Sequence, residues 1–154
     1  DLGGRGARGG PGGAAPWSPA SAKAHLAMIA NVPDADRSPD QPHGAVVVGK
    51  AYDLALWLLP KIEKFPRSYR FSLGERLIAA ALDVLMDLVE AAYARRPLEL
   101  LRHASRRLNA LRLLVRLAKD LRLLPLSAYE HAAERIDEVG RMTGGWLRAE
   151  ERKA

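Results

Sequence analysis

The sequence predicts an all-α protein with the architecture of an antiparallel up-down-up-down four-helix bundle. Beyond residue 47, apolar residues recur at three- and four-residue spacing, which is the period of a helix with one buried face. Prolines and possible capping residues separate four such stretches, and the links between them are short. Short links favour antiparallel neighbours, and the 48% hydrophobic content is sufficient for the core of one domain.

Residues 1–47 differ in composition from the rest of the chain and are expected to be disordered. They hold eight of the 13 glycines and six of the 10 prolines. Such a segment cannot bury enough apolar surface to offset the entropy of ordering it. Its four basic and four acidic residues cancel, so the formal net charge of +6 belongs to the remainder. We expect the bundle to occupy residues 48–149, followed by a charged tail at 150–154.

The first two helices are predicted from the signals at their ends. The first helix should run from about Val48 to Lys64, because Pro66 disfavours helical geometry in the residue before it. Ser72 and Glu75 have the spacing of a capping box. This box predicts the start of a second helix that continues to about residue 94.

The third and fourth helices have comparable start signals. Pro97 suits the first turn of the third helix, where its missing N–H costs nothing. Ser127 and Glu130 repeat the capping-box spacing and predict the start of the fourth helix, which continues towards Trp146. Gly144 and Gly145 are expected either to end this helix or to allow close packing of another subunit.

The first helix carries more apolar surface than a bundle core needs. One stripe contains Leu54, Leu58 and Ile62, but Leu56, Leu59 and Trp57 lie on other sides of the same helix, and the second helix shows a similar excess. These wide apolar faces predict a homo-oligomer or a protein partner, although a tight bundle could also bury them. The residues expected to be core or oligomer-interface anchors are Leu56, Trp57, Leu59, Phe65, Phe71 and Trp146.

The segment from Arg95 to Arg122 combines a helical apolar period with a strongly basic composition. It has nine basic residues and two acidic ones. A rise of 100° per residue separates a core side from an outer side. The core side contains Leu101, Ala104, Leu108, Leu111, Val115 and Ala118, and the outer side contains Arg102, Arg106, Asn109, Arg112 and Arg116. A cationic stripe on a rigid helix suits RNA or DNA, whereas the alternative is a solvated face.

Two further features bear on that interpretation. The fourth helix carries Glu130, Glu134, Asp137 and Glu138, which could pair with the third helix within or between subunits and so weaken the case for nucleic acid. Arg67 and Arg70 flank the turn between the first two helices and could form a small basic cluster or cap a helix end. The residues predicted to contact nucleic acid or a protein partner are Arg67, Arg70, Arg102, Arg106, Arg112, Arg116 and Lys119.

The sequence contains few signals of enzymatic chemistry. The absence of cysteine excludes disulfides, thiol catalysis and cysteine-ligated zinc, and we expect no metal site and no cofactor. Arg96 and His103 are separated by six residues, a spacing found in helical ribonucleases of the HEPN type, but arginine is too frequent here for this to be specific. No apolar run could span a bilayer and no signal peptide is evident, so a cytoplasmic protein is expected.

Two motifs carry a family resemblance, YDLALWLLPKIEKFPRSYRFSLGERL at 52–77 and DEVGRMTGGWL at 137–147. Over about residues 50–148 the chain resembles the accessory variability determinant (Avd) of diversity-generating retroelements, within a wider group of four-helix-bundle proteins linked to ribosomal RNA intervening sequences. The resemblance implies a noncatalytic accessory subunit that forms a homopentameric barrel with a basic surface. It also implies binding to the retroelement reverse transcriptase and its template RNA, in support of mutagenic cDNA synthesis.

The basic stripe and the resemblance agree in predicting salt-dependent binding to RNA or cDNA with low sequence specificity, because arginine and lysine contacts to phosphate carry little sequence information. The alternative is a generic oligomeric four-helix bundle that binds another protein and has no role with nucleic acid.

Overall fold

The computed structural model describes residues 43–154. The fold of this part is entirely helical, with no strand, as predicted. Its four main helices are α1 (His43–Glu63), α2 (Glu75–Tyr93), α3 (Leu98–Asp120) and α4 (Leu126–Lys153). The segment predicted to be disordered lies outside the described residues, except for residues 43–47, which begin α1. None of the helices within the described part is long and apolar enough to cross a membrane.

Each helix packs against two others around a common core. Helix α2 packs against α1 and α3, and α4 packs against α3 and α1. Trp57 of α1 lies against His131 of α4, with ring centroids 4.5 Å apart. Gly44, at the start of α1, lies beside Trp146 near the end of α4. Later residues of α1 therefore contact earlier residues of α4.

The core contains the apolar stripes that the helical period predicts. Each member of the predicted core side of α3 is buried, namely Leu101, Ala104, Leu108, Leu111, Val115 and Ala118. In α1, Leu54, Leu58 and Ile62 are buried at the centre of the same cluster. Complete burial of a leucine or isoleucine side chain contributes roughly 1.5–3 kcal/mol, so these stripes supply most of the stabilisation of the bundle.

The two predicted capping boxes are wrong. The Ser72 hydroxyl donates backwards, to the carbonyl oxygens of Ser68 at 3.1 Å and Tyr69 at 3.4 Å. Ser72 cannot cap a helix start because the chain is already helical before it, with an α-helical turn at Arg67–Tyr69 and a π-helical turn at Arg70–Gly74 leading into α2.

Prolines mark the true start of three helical segments. Pro66 precedes the turn that leads into α2, and Pro125 precedes α4 with its backbone extended (ψ 158°). The N–H of Tyr129 donates to the Pro125 carbonyl at 3.0 Å, so Ser127 already lies in the first turn of α4 and does not cap it. Pro97 directly precedes α3, one residue from its predicted place, and its carbonyl accepts from Leu101 at 2.9 Å.

Two helices are longer than predicted. Helix α1 begins at His43, five residues before Val48, and α4 continues to Lys153 through most of the predicted charged tail. Gly144 and Gly145 lie inside α4, so the expectation that they end it is wrong. The buried side chain of Trp146 follows them directly and holds this part of α4 against the bundle.

Helix α3 ends at a left-handed residue that is not glycine. Arg122 has φ 62°. Its N–H donates to the Lys119 carbonyl, and the N–H of Leu123 donates to the Ala118 carbonyl, both at 2.9 Å. This is the bonding pattern of a Schellman motif, in which glycine usually holds the left-handed position.

A candidate nucleic-acid interface on the third helix

The predicted outer side of α3 faces solvent. Arg106, Arg112 and Arg116 are exposed, and Arg102 is partly exposed. The helix holds these side chains at fixed intervals, with a rise of about 1.5 Å per residue. From Arg102 to Lys119 the stripe extends about 25 Å along one side of the bundle.

Arg102, at the start of the stripe, is held by two glutamates. Its Nη1 lies 2.6 Å from Oε1 of Glu99, and its Nη2 lies 3.5 Å from Oε1 of Glu151 in α4. The hydrogen bond with Glu99 raises the pKa of Arg102 further above its already high ordinary value. Arg102 is therefore a permanent cation, but the carboxylates of Glu99 and Glu151 already neutralise part of its charge.

Arg112 connects α3 to α4. Its Nε donates to Oδ1 of Asp137 at 3.0 Å, and its Nη2 lies 2.9 Å from the same oxygen in an ion pair. Its Nη1 donates to Oδ1 of Asn109 at 2.9 Å. The expected pairing between the basic third helix and the acidic fourth helix is thus present within one chain. A groove of about 270 Å³ lies beside this pair, and Gly140 and Arg141 of α4 line it.

The later cations of the stripe differ in how far they are engaged. Arg116 lies 4.0 Å from Asp120, and Lys119 lies 3.3 Å from the same carboxylate and 4.7 Å from the ring centroid of Tyr129. Arg106 makes no ion pair within residues 43–154. Exposed pairs of this kind contribute about 0–1 kcal/mol each, so a phosphate could replace the carboxylates at little cost.

The two arginines of the turn before α2 lie towards the same end of the bundle as the end of α3. The contacts of Asp83 with Arg107 and of Asp87 with His103 set this register, since earlier residues of α2 meet later residues of α3. Arg67 is exposed, and the guanidinium of Arg70 lies 5.2 Å from the ring centroid of Phe71. The structure thus brings Arg67, Arg70, Arg116 and Lys119 towards one end and leaves Arg102 towards the other.

His103 does not stand free beside Arg96. Nδ1 of His103 contacts Oδ2 of Asp87 in α2, and Nε2 lies 3.4 Å from Nε of Arg107. Arg96 is an exposed residue of the link between α2 and α3. Both ring nitrogens of His103 are therefore engaged by other side chains that join α2 to α3.

The predicted anchor residues divide into a buried, a half-buried and an exposed group. Phe65 and Trp146 belong to the core. Trp57 and Leu59 are half-buried, and Nζ of Lys61 lies 5.5 Å from the Trp57 ring centroid. Leu56 and Phe71 are exposed, so they are not core anchors and are available for an interface.

Sequence reasoning missed an apolar component of the α3 face. Leu113, Leu117 and Leu121 are 66, 45 and 40% exposed, and Leu126 at the start of α4 is 62% exposed. The period that assigns the arginines to the outer side also assigns Leu113 and Leu117 to it. That signal was present in the sequence, but leucine in a helix is by default attributed to the core.

The fold and this face define a helical-bundle protein in which one rigid helix presents cations together with exposed apolar side chains. The residues that the structure describes contain no group of three or more side chains suited to holding a metal ion. The bAvd-like family model matches residues 45–150, and the chain belongs to this family. No curated protein matches the chain. The resemblance to Avd is therefore confirmed, and it places the chain among accessory proteins of the kind found in diversity-generating retroelements.

Proposed function

We propose that this chain is a noncatalytic accessory subunit of a diversity-generating retroelement, which binds the reverse transcriptase and its template RNA through basic surfaces and so supports mutagenic cDNA synthesis. The observation that carries the proposal is the exposed arginine stripe of α3 in a member of the bAvd-like family. Arg106 and Arg116 are its least engaged members, since one lacks an ion pair within the described residues and the other has only a 4.0 Å contact.

The arrangement suits positioning of RNA better than reading of its sequence. Guanidinium groups on a rigid helix contact phosphates without distinguishing bases, so selectivity for the template would come from the enzyme and from RNA shape. Release of counterions from the RNA makes such binding salt-dependent. The carboxylates that now hold Arg102 and Arg112 would be exchanged for phosphates, at a cost that remains small because these pairs are solvent-exposed.

The proposed assembly is a homopentameric barrel of antiparallel up-down-up-down bundles. The reversed order of contacts between α1 and α4, and between α2 and α3, supports the antiparallel arrangement. Exposed apolar side chains on α1 and α2, among them Leu56, Leu82 and Met86, support a subunit interface. Five copies would add their net charges of +6 and create a long-range field that attracts RNA.

A generic oligomeric bundle with a protein partner is the second candidate. The pairing of Arg112 with Asp137 and of Lys50 with Glu138 favours it, because part of the cationic surface then serves the fold. On this alternative, removal of α3 cations would leave partner binding unchanged.

Co-purification with the reverse transcriptase encoded in the same retroelement tests the proposal, with and without ribonuclease treatment. We expect the wild-type chain to retain the enzyme and RNA, and light scattering to give five times the 16.8 kDa chain mass. Arg106→Glu with Arg116→Glu should release RNA, whereas the matched pair Arg76→Glu with Arg152→Glu, with the same change in net charge on other helices, should retain it. A wild-type chain that retains neither component would contradict the proposal.

A further inference from the structure

Three leucines form an exposed row on α3, which we call the leucine row: Leu113, Leu117 and Leu121. They are spaced four residues apart, and they are 66, 45 and 40% exposed. Arg106, Leu113 and Leu117 lie within about 40° of one another around the helix axis, on the side opposite the buried stripe. The row therefore lies outside the buried core cluster, and Leu113 and Leu117 point away from the bundle.

The surroundings of the leucine row are cationic. Arg106 lies on the same strip of the helix, Arg116 flanks it, and Arg122 follows its last leucine. Neither Arg106 nor Arg122 forms an ion pair within the part of the chain that the structure describes. Asp120 is the acidic residue nearest to the row in sequence, and it is shared between Arg116 and Lys119.

Arg122 is held in a conformation that does not favour arginine. At φ 62° glycine is the preferred residue, and a side chain there costs of the order of 1 kcal/mol. The Schellman motif of α3 would be more stable with glycine, and the arginine finds no compensating ion pair in residues 43–154. Strain of this kind, at an exposed cation beside an apolar row, points to a contact outside the chain.

RNA is a poor match for this surface. Proteins hold single-stranded bases by stacking on aromatic or guanidinium planes, and a row of aliphatic side chains offers neither. A leucine row with four-residue spacing is instead the ridge that an α-helix presents to another helix. The flanking arginines select a helix whose apolar stripe is bordered by aspartate or glutamate.

We propose that the leucine row, with Arg122, docks an acidic amphipathic helix of the reverse transcriptase. This inference rests on the proposed function and deepens it, because it assigns the leucine row to the enzyme and leaves the arginine stripe, with Arg106 and Arg116, to the RNA. The leucines supply the buried apolar contact, and Arg122 fixes the orientation of the partner helix.

The test is the double variant Leu113→Gln and Leu117→Gln, which keeps helix propensity and removes the apolar ridge. We expect the affinity for the reverse transcriptase to fall at least about tenfold, with no change in thermal midpoint, RNA affinity or oligomer mass. Arg122→Gly should raise the thermal midpoint and weaken enzyme binding at the same time, because it relieves the left-handed strain and removes the cation.

Val46→Gln is the matched control, because it removes a similarly exposed apolar side chain from the start of α1. It should leave enzyme binding unchanged. Equal retention of the enzyme by the leucine double variant and by wild type would overturn the inference while the proposed function stands. Loss of RNA binding alone, or a change in oligomer mass alone, would also overturn it, since the row would then serve RNA or a second copy. A wild-type chain that does not bind the enzyme at all would overturn both.

Discussion

Nε of Arg112 in α3 donates a hydrogen bond to Oδ1 of Asp137 in α4 at 3.0 Å, and Nη2 of the same guanidinium lies 2.9 Å from that oxygen. Arg112, which the sequence predicts to contact RNA, therefore also joins α3 to α4. The side chains of both residues are about half exposed, so the pair stabilises the fold by about 1 kcal/mol at most.

A double-mutant cycle on this pair separates its two roles. Arg112→Gln and Asp137→Asn should each lower the free energy of unfolding by less than about 1 kcal/mol, with a coupling energy of similar size in urea titrations. Asp137→Asn should also tighten RNA binding, because it removes a negative charge and releases the guanidinium. Weaker RNA binding by this variant would contradict a role for Arg112 in the interface.

Gly74 and Gly49 provide a matched test of packing between α1 and α2. A Cβ at Gly74 would lie 3.1 Å from Cγ2 of Ile62 and 3.3 Å from the Tyr69 carbonyl oxygen, whereas a Cβ at Gly49 would meet nothing within 4 Å. Gly74→Ala should therefore destabilise the bundle by about 1–3 kcal/mol through overpacking. Gly49→Ala should stabilise it by about 0.5–1 kcal/mol through helix propensity. Thermal unfolding of both variants checks the pair, and stabilisation by Gly74→Ala would refute the close approach.

The Lys50–Glu138 pair predicts a pH dependence of stability. Hydrogen bonding to Lys50, 3.1 Å away, and the charge of Arg135 hold the pKa of Glu138 below its ordinary value. The folded state thus binds the proton less well than the unfolded state does. The contribution of the pair is fully present above the ordinary glutamate pKa of about 4.3, and it is lost as pH falls through the lowered pKa.

Glu138→Gln should therefore lower stability at pH 7 and reduce the loss of stability on acidification, as measured by thermal midpoints between pH 7 and pH 3. Glu134→Gln, one turn earlier in α4, keeps the Lys50–Glu138 pair and serves as the control. If the thermal midpoint of Glu138→Gln fell with pH as the wild-type midpoint does, the Lys50–Glu138 pair would not contribute to the pH dependence of stability.

Thr143 carries a buried polar group without compensation. Its side chain is fully buried in α4, and Oγ1 has no hydrogen-bond partner among the described residues. Thr143→Val keeps the shape and removes the hydroxyl, so it should raise the free energy of unfolding by about 1 kcal/mol. Thr143→Ser keeps the hydroxyl and removes a methyl group, so it should lower it. Destabilisation by Thr143→Val would mean that the hydroxyl has a partner in the assembled protein.

The core could be predicted from sequence more reliably than the helix ends. Burial of Leu101 through Ala118 at helical spacing follows from periodicity alone, because one face of a rod must be apolar to pack. The start of α2 depends instead on whether the chain is already helical at Ser72. It is, because the helical turns that follow Pro66 include this residue. A capping-box spacing does not contain that information.

The site was predictable in composition but not in pairing. The helical period assigned Arg106 and Arg116 correctly to the outer side of α3. Which cations are engaged depends on how α3 lies against α4, and this relation brings Arg112 to Asp137 but leaves Arg106 without an ion pair in the described part of the chain. Exposure of Leu117, by contrast, follows from the helical period, which assigns it to the outer side with Arg106.

The salt dependence of RNA affinity tests the central claim, that the α3 arginines bind a polyanion, most directly. Arg106→Gln with Arg116→Gln should lower the slope of log affinity against log salt concentration by about 2 relative to wild type, because two phosphate contacts are lost. Arg76→Gln with Arg152→Gln, which changes the net charge equally on other helices, should keep the wild-type slope. Equal slopes for all three proteins, or affinity that does not change with salt, would contradict the assignment of this face to RNA.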